Sequence, residues 1–469
     1  MSHTQEHAHS ESQVQQKGLW GMTRPMLLEQ ALVLSIPMTD LFFLSRISDS
    51  AAAAVGAITP ILYFSFTCLW VVAFAGSALT SQRMGAGDYQ KANATIGVYG
   101  LWLLLFSLLA TAMVFYGGPL VSGWMGLESA IKADADTYLR ITAWMIGVWG
   151  IHSLTHSILT VYGLPQWNLL ANAVYFISNV IGNSCVVFGL FGLPKLGLEG
   201  VAWVSVFSSL LGVVIAILAI RLKLKLHIAW ARVRADFRGH SRQLGRIALP
   251  SIAEPLSFDG QMIVLSAIVA VGGTTELAAR AYTFNTFMVL LIFTIAISTA
   301  TEVLVGQHVG AGHFKKAHKQ LHQSLKAAYW GALGLGVLLT LCAPQIMALY
   351  TNDAAILAMA YFYFGLSLLA EPGRVTNIIV GNTLRGTGDG WFISIAGVLF
   401  SWLVAVPLAW LLAIHLGWGL LGVLVAAAMD ECCRSLIYYR RWGQGHWRHK
   451  NATALERAQQ QLNQTGDGI

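Results

Sequence analysis

The sequence predicts an all-α integral membrane protein, with twelve transmembrane helices in two pseudo-symmetric six-helix bundles. Three observations carry that expectation. Of 469 residues, 56% are hydrophobic and only 11% are charged, whereas soluble domains hold about a quarter charged residues. Twelve apolar stretches reach spanning length, at roughly 26–46, 52–79, 94–118, 137–160, 168–192, 197–221, 247–271, 278–304, 324–346, 356–381, 391–415 and 417–438. The chain also matches itself when shifted by 225 residues. Pro25, Glu29, Gln82, Gly85-Ala86-Gly87 and Lys91-Ala92 then fall without a gap on Pro250, Glu254, Gln307, Gly310-Ala311-Gly312 and Lys316-Ala317. Two similar halves in a long apolar chain mark a transporter, in which two bundles rock around a site between them.

The spans divide the chain. Residues 1–24 are expected to form a cytoplasmic tail, 25–222 a first lobe of six spans, and 223–246 a basic cytoplasmic connector. Residues 247–440 form the second lobe and 441–469 a second cytoplasmic tail. Every span is helix-length, and none shows the ten-residue alternation of an outer-membrane barrel. Six spans per half make both halves enter the membrane in the same sense, which implies a pseudo-two-fold along the membrane normal. The Gly-Ala-Gly segments after spans two and eight read as turns, where glycine relieves the steric cost of unusual backbone angles. Without a following Lys-Ser/Thr or a preceding strand they carry no nucleotide signal. Gly197-Leu198-Glu199-Gly200-Val201 opens span six and Gly419-Leu420-Leu421-Gly422-Val423 opens span twelve, small residues that permit close backbone approach. Nothing resembles an ATPase, so energy is expected from an ion gradient.

Basic residues gather on one face. Arg221, Lys223, Lys225, Arg232, Arg234, Arg238, Arg242 and Arg246 stand between spans six and seven against the single acid Asp236. Arg83 and Lys91 follow span two, Lys315, Lys316 and Lys319 follow span eight, and Arg434, Arg440, Arg441, Arg448 and Lys450 lie toward the C-terminus. The opposite loops hold mainly Lys132 and Lys195. This asymmetry predicts both termini in the cytoplasm, in the inner membrane. The expected partner is the lipid bilayer, with anionic lipid a secondary attraction, and no nucleic acid. Cys68, Cys185, Cys342, Cys432 and Cys433 form neither a disulfide framework nor a zinc spacing and read as packing residues. No cleavable signal peptide is expected from the polar first twenty residues. His3, His7 and His9 suit a flexible tail better than a metal site, and the Gln-rich stretch after Asn451 reads as disordered.

An ionisable group inside a membrane costs several kcal/mol, so it is rare and usually functional. Asp40 lies in span one, three residues after Pro37, and its repeat position is Leu265. Proline removes a backbone donor and bends a helix, which makes this acid part of a plausible two-state element. Span five supplies Asn172, Ser178, Asn179, Asn183 and Ser184; Asn179 and Asn183 share one helix face, and Ser205 of span six could join them. Amides there either hold the acid or coordinate a cation, or else only bond helices together. Asp259 in span seven has no acidic repeat mate, since its partner position is Leu34, and is the second candidate acid. Glu254, the repeat mate of Glu29, suggests a shared structural role near the membrane edge. Glu371 and Arg374, three apart in span ten, read as an ion pair, with gating or substrate contact the alternative. Arg280 and Glu302 are expected to snorkel from the two ends of span eight. His152 and His156, four apart, read as a polar helix face, because two ligands make a weak metal case. Tyr63, Phe64, Phe66, Trp70, Trp144, Met145, Trp149, Tyr282, Phe284, Phe287 and Met288 include faces suited to flat organic cations, although most such residues pack or meet lipid; no substrate residue is assigned.

Over residues 25–440 the chain resembles the multidrug and toxic-compound extrusion (MATE) family of secondary transporters. The marks are Pro37 to Asp40 followed by Ala53-Ala54-Val55-Gly56, Gln82-Arg83-Met84-Gly85-Ala86-Gly87-Asp88, Gln307-His308-Val309-Gly310-Ala311-Gly312 and Leu384-Arg385-Gly386-Thr387-Gly388-Asp389, in this order on a doubled chain. The resemblance implies two bundles around a V-shaped cleft and antiport of drugs against Na⁺ or H⁺. It matches Asp40 to the first-span acid implicated in cation coupling and Asn179 to a fifth-span Asn beside it. Asn183 stands where one bacterial branch has Asp. Asp259 lies close to the span-seven acid of another branch, whose span-ten Asp has no match here; Glu371 and Arg374 occupy that region.

The expected function is export of organic, mostly cationic compounds in exchange for H⁺ or Na⁺, by a monomer with no cofactor beyond the coupling ion and no resident metal. The alternative cargo is a lipid-linked oligosaccharide, moved by a flippase of the same superfamily. That reading favours a strongly cationic cleft and often extra spans, and neither is visible. A membrane enzyme is the least supported class, because no convergent catalytic set appears.

Overall fold

The computed structural model describes residues 17–124, 129–192, 194–224, 226, 228, 230–348 and 354–451. The expectations for His3, His7 and His9 and for the Gln-rich end lie outside these residues. Among the described residues there is no strand. Six long helices run through the first half: α1 Leu19–Ser45, α2 Asp49–Gly85, α3 Tyr89–Ala112, α4 Ser129–Val161, α5 Pro165–Phe188 and α6 Gly197–Ala219. Six more follow: α7 Phe237–Ala270, α8 Thr274–Gly310, α9 Phe314–Leu341, α10 Ala354–Leu384, α11 Gly390–Phe400 and α12 Gly419–Gly443. A π-type turn at Met113–Gly117 carries α3 on into Gly118–Trp124, and similar turns carry α11 on to His415. The chain separates into two compact units, Met1–Arg83 with Gly87–Gly245, and Met84–Ala86 with Arg246–Ile469.

Among the described residues, nine apolar helical runs are long enough to cross a membrane. The difference from twelve is chemical. One run, Ile356–His415, holds two of the spans read from the sequence. The other two are α4 and α12, full-length helices whose polar residues dilute their hydropathy. Lys132, Asp134, Asp136 and Arg140 open α4, which also carries His152 and His156, while α12 carries Asp430, Glu431 and Arg434. The chain is a multi-pass membrane protein.

Turn chemistry follows the repeat. Gly87 and Gly312 adopt φ of +75° and +72°, a conformation that costs a residue with a Cβ about 1 kcal/mol or more. The residue after Gly87 caps α3: Asp88 accepts the backbone N–H of Lys91 at 3.0 Å and pairs with its ammonium at 2.9 Å. Burial disfavours the Asp88 charge, but the hydrogen bonds from Lys91 and the charges of Lys91 and Arg83 outweigh it, holding the carboxyl below the usual carboxylate range. Its repeat equivalent, His313, makes no such cap. The basic connector is largely helical. Trp230–Ala235 is a short helix that seats Val233 against Ala94 and Val98 of α3, and α7 begins at Phe237, ten residues ahead of the apolar stretch.

Small residues set the helix crossings. Tyr99 of α3 is fully buried and bonds Ser157 of α4 at 2.8 Å. A Cβ added at Gly76 of α2 would lie 2.5 Å from the Tyr99 ring, and a ring fixed at both ends has no room to yield. Gly76→Ala is therefore expected to cost about 1–3 kcal/mol, read as a lower thermal midpoint in detergent. An unchanged midpoint would show that this crossing is looser than it looks.

Candidate functional site

Four side chains from three helices converge in the first unit. Asp40 of α1 is 8% exposed. Its Oδ1 accepts Asn179 Nδ2 at 3.0 Å and Asn183 Nδ2 at 2.7 Å, both from α5. Its Oδ2 accepts the Ser205 hydroxyl of α6 at 2.8 Å. Asn183 Nδ2 also lies 3.1 Å from Asn179 Oδ1, and Asn179 Nδ2 lies 3.2 Å from Ser205 Oγ. Asn183 Oδ1 is buried without a partner. The phenols of Tyr138 and Tyr175, both buried, lie within electrostatic reach of the carboxylate. Every hydrogen bond to Asp40 thus comes from a neutral donor, which satisfies its oxygens without cancelling its charge.

A second carboxylate of α1 meets α5 three turns earlier. Glu29 is 1% exposed, and its Oε1 accepts Asn172 Nδ2 at 3.0 Å. His156 Nε2 of α4 lies 3.0 Å from the same oxygen. Asn172 Oδ1 faces His152 Nε2 at 3.1 Å, and His152 stacks on Trp149 with centroids 4.6 Å apart. The sequence reading left Glu29 to architecture and the two histidines to a polar face. The structure places all three in one network.

The acids of the second unit are arranged differently. Glu254 of α7 bonds Arg385 and lies 3.8 Å from Arg434 of α12. Arg434 bonds Asp430 at 2.6 Å and lies 3.6 Å from Glu431. Glu371 bonds Arg374, which lies 4.0 Å from Glu431, and Glu431 also accepts Asn377. These acids are met by fixed guanidiniums. Asp259 is apart from them: it is exposed, with no hydrogen bond or ion pair among the described residues. Five residues separate it from Glu254, about 140° around the helix, so the two acids take different faces. Tyr63, Phe64, Trp70 and Trp144 are exposed, whereas Phe287 is buried against Phe364.

Two expectations need correction. Glu302 does not snorkel: it is 6% exposed, its Oε1 has no partner, and it feels the charge of Arg385. It stands eight residues before the end of α8, more than two turns from the interface. Arg280 turns inward to Ser266 Oγ at 2.5 Å. Arg434, counted among the basic tail residues, is 5% exposed inside the unit. Its partner Glu254 is 180 residues away in sequence. Only its spacing of four from Asp430 could have hinted at an ion pair.

Known proteins share this architecture. The MatE family model matches residues 25–184 and again 250–411, and its two matches begin at the repeat-related Pro25 and Pro250. The uncharacterized transporter YisQ of Bacillus subtilis is 30% identical over 432 residues, covering 92% of this chain and 95% of that protein. A probable multidrug resistance protein, NorM of Thermotoga maritima, is 20% identical over 95% of this chain and 96% of its own. A solved MATE in a bent conformation superposes with a TM-score of 0.82 at 18% identity, covering 94% of this chain and 96% of that one.

The Glu254–Arg385 pair can be tested apart from any transport assay. Removing one partner of a fully buried pair strands the other charge and costs about 3–5 kcal/mol, and for this part-buried pair a smaller loss is expected. Glu254→Gln should lower the thermal midpoint in detergent, and adding Arg385→Gln should restore part of the loss. A double variant less stable than the single one would contradict the pairing.

Proposed function

This chain belongs to the MATE family of membrane transporters, and on that premise we propose that it exports organic, mostly cationic compounds by antiport with protons, using Asp40 as the main coupling residue. The proposed setting is the inner membrane, with both termini cytoplasmic and a single chain as the working unit. One observation carries the reading: Asp40 is a buried intramembrane acid bonded by Asn179, Asn183 and Ser205, with no fixed cation in contact among the described residues. Its charge is left for a mobile ion to neutralise.

The orientation of the donors supports a proton over Na⁺. In the ionised state two amide N–H groups and a hydroxyl point at the carboxylate. A cation would need those side chains to present oxygens instead. A protonated Asp40 carries its own O–H, and the unpartnered Asn183 Oδ1 can accept it once that amide rotates. The site therefore has a hydrogen-bonding arrangement for each protonation state. Alternating access then requires that protonation of Asp40 and retention of substrate exclude one another. Asp259, exposed and unpaired, adds a negative charge that would draw organic cations.

Ethidium efflux from proteoliposomes tests this under one imposed gradient at a time. A pH gradient should drive efflux, and a Na⁺ gradient at equal pH should not. Asp40→Asn keeps the shape and removes the exchangeable charge, so efflux should fall at least tenfold with folded protein still in the membrane. Efflux at the wild-type rate in that variant would remove Asp40 from the mechanism.

A further inference from the structure

The first unit contains a titratable network that coupling through Asp40 leaves unused. Glu29 Oε1 is shared by Asn172 Nδ2 and His156 Nε2, each at 3.0 Å, while Glu29 Oε2 is buried with no partner. Because Asn172 donates its Nδ2 to Glu29, its Oδ1 is an acceptor, and His152 must carry a proton on Nε2 to meet it. Around Glu29, α4 thus contributes two imidazoles and α5 an amide, with Tyr175 one turn beyond. The packed helix α6 carries no charged or titratable residue between Glu199 and Arg221, and the nearest charge on α1, Arg24, is exposed.

The placement of this network is informative. The Glu29–Asn172 and Asp40–Asn183 bonds join α1 to α5 at the same sequence offset of 143. They are two rungs of one helix seam, eleven residues or about 16 Å apart. Asp40 lies five residues from the end of α1. Glu29 lies ten residues from its start, in the half of α1 nearer the end of the unit where Arg83 stands in the last turn of α2, Lys91 follows, and α6 runs into Arg221 and Lys223. Glu29 is thus the rung nearer the basic face and Asp40 the rung nearer the opposite face. The His156 side chain is 27% exposed, so the lower rung is not sealed.

We propose that Glu29 and His156 form a second proton-binding site, which exchanges protons with water on the basic face while Asp40 exchanges on the other. The proposal rests on the proton-coupled reading of Asp40. With Glu29 ionised and His156 neutral, the pair carries one negative charge. His156 keeps Nε2–H on Glu29 Oε1, and Nδ1 takes one proton from water to give a net-neutral carboxylate–imidazolium pair. Release returns that proton from Nδ1 to water, and no other bond changes. Asn172 holds Glu29 in place through either state, and His152 holds Asn172; both are positioning residues. At about 16 Å the two rungs are too far apart for direct transfer, so each exchanges its proton separately.

The test uses full-length protein in proteoliposomes, with the pH on each face varied separately and ethidium as the probe. Glu29→Gln keeps an acceptor for Asn172, and His156→Gln keeps a donor for Glu29, so each preserves hydrogen bonding while losing the titratable group. In both variants the ratio of gradient-driven efflux to ethidium exchange at equal pH should fall about tenfold. The response to pH on the basic face should flatten, and the response on the opposite face should persist. A wild-type ratio, or a loss of response on both faces alike, overturns the second site. If wild-type efflux ignores pH on either face, the proton reading of Asp40 fails and this site fails with it. If wild type responds and only these variants behave as wild type, Asp40 stands and Glu29 does not.

Discussion

A carboxylate inside a bilayer has no water to solvate it, so the protein groups around it decide whether its charge is fixed or exchangeable. At Asp40 those groups are two amides and a hydroxyl. Hydrogen bonds to a charged group contribute roughly 1.5–3 kcal/mol each, and burying the ion costs several kcal/mol. Three such bonds offset part of the burial cost without cancelling the charge. The same bonds tie α1 to α5 and α6, so the interaction that balances the charge also sets the helix packing around it.

The second unit solves the same problem in the opposite way. Glu254 occupies the repeat position of Glu29, but its partners are Arg385 and Arg434. A guanidinium stays protonated at any physiological pH and neutralises its partner permanently. The repeat position of Asp40 is Leu265, which is 1% exposed in an apolar cluster with Val269, Leu420 and Val423. Ser205, aligned through Gly197 and Gly419, falls on Ala427. Duplication kept the helices, the Pro25 and Pro250 positions and the Gly-Ala-Gly turns. The partners of the buried acids diverged, because a helix bundle tolerates a change of side chain at a facing position far better than a change of backbone.

What was legible in the sequence follows from that distinction. Span number, the doubled plan and the glycine turns were readable because they rest on composition and backbone conformation, which are local. The meeting of Asp40 with Asn179, Asn183 and Ser205 was readable because polar groups within apolar spans are few and α5 repeats them at a spacing of four. The Glu371–Arg374 contact was readable for the same reason, at a spacing of three. Glu254 with Arg385 and Arg434 was not, since those partners are 131 and 180 residues distant. Glu302 was misread because nearness to a predicted span end was taken for nearness to water, and α8 runs on to Gly310. The partners of Glu29, Asn172 and His156, were not legible from the repeat, since Glu254 at the same position meets Arg385 and Arg434.

Charge counting separates the two units further. The buried network of the second unit joins Glu254, Glu371, Asp430 and Glu431 to Arg374, Arg385 and Arg434, with Glu302 beside it. Five acids face three guanidiniums, and each guanidinium fixes the acids it bonds. Asp40 and Glu29 have no such pin. Under the proposed proton coupling, a proton arriving there would alter the whole charge of the site, and Pro37 lies on α1 between the two rungs.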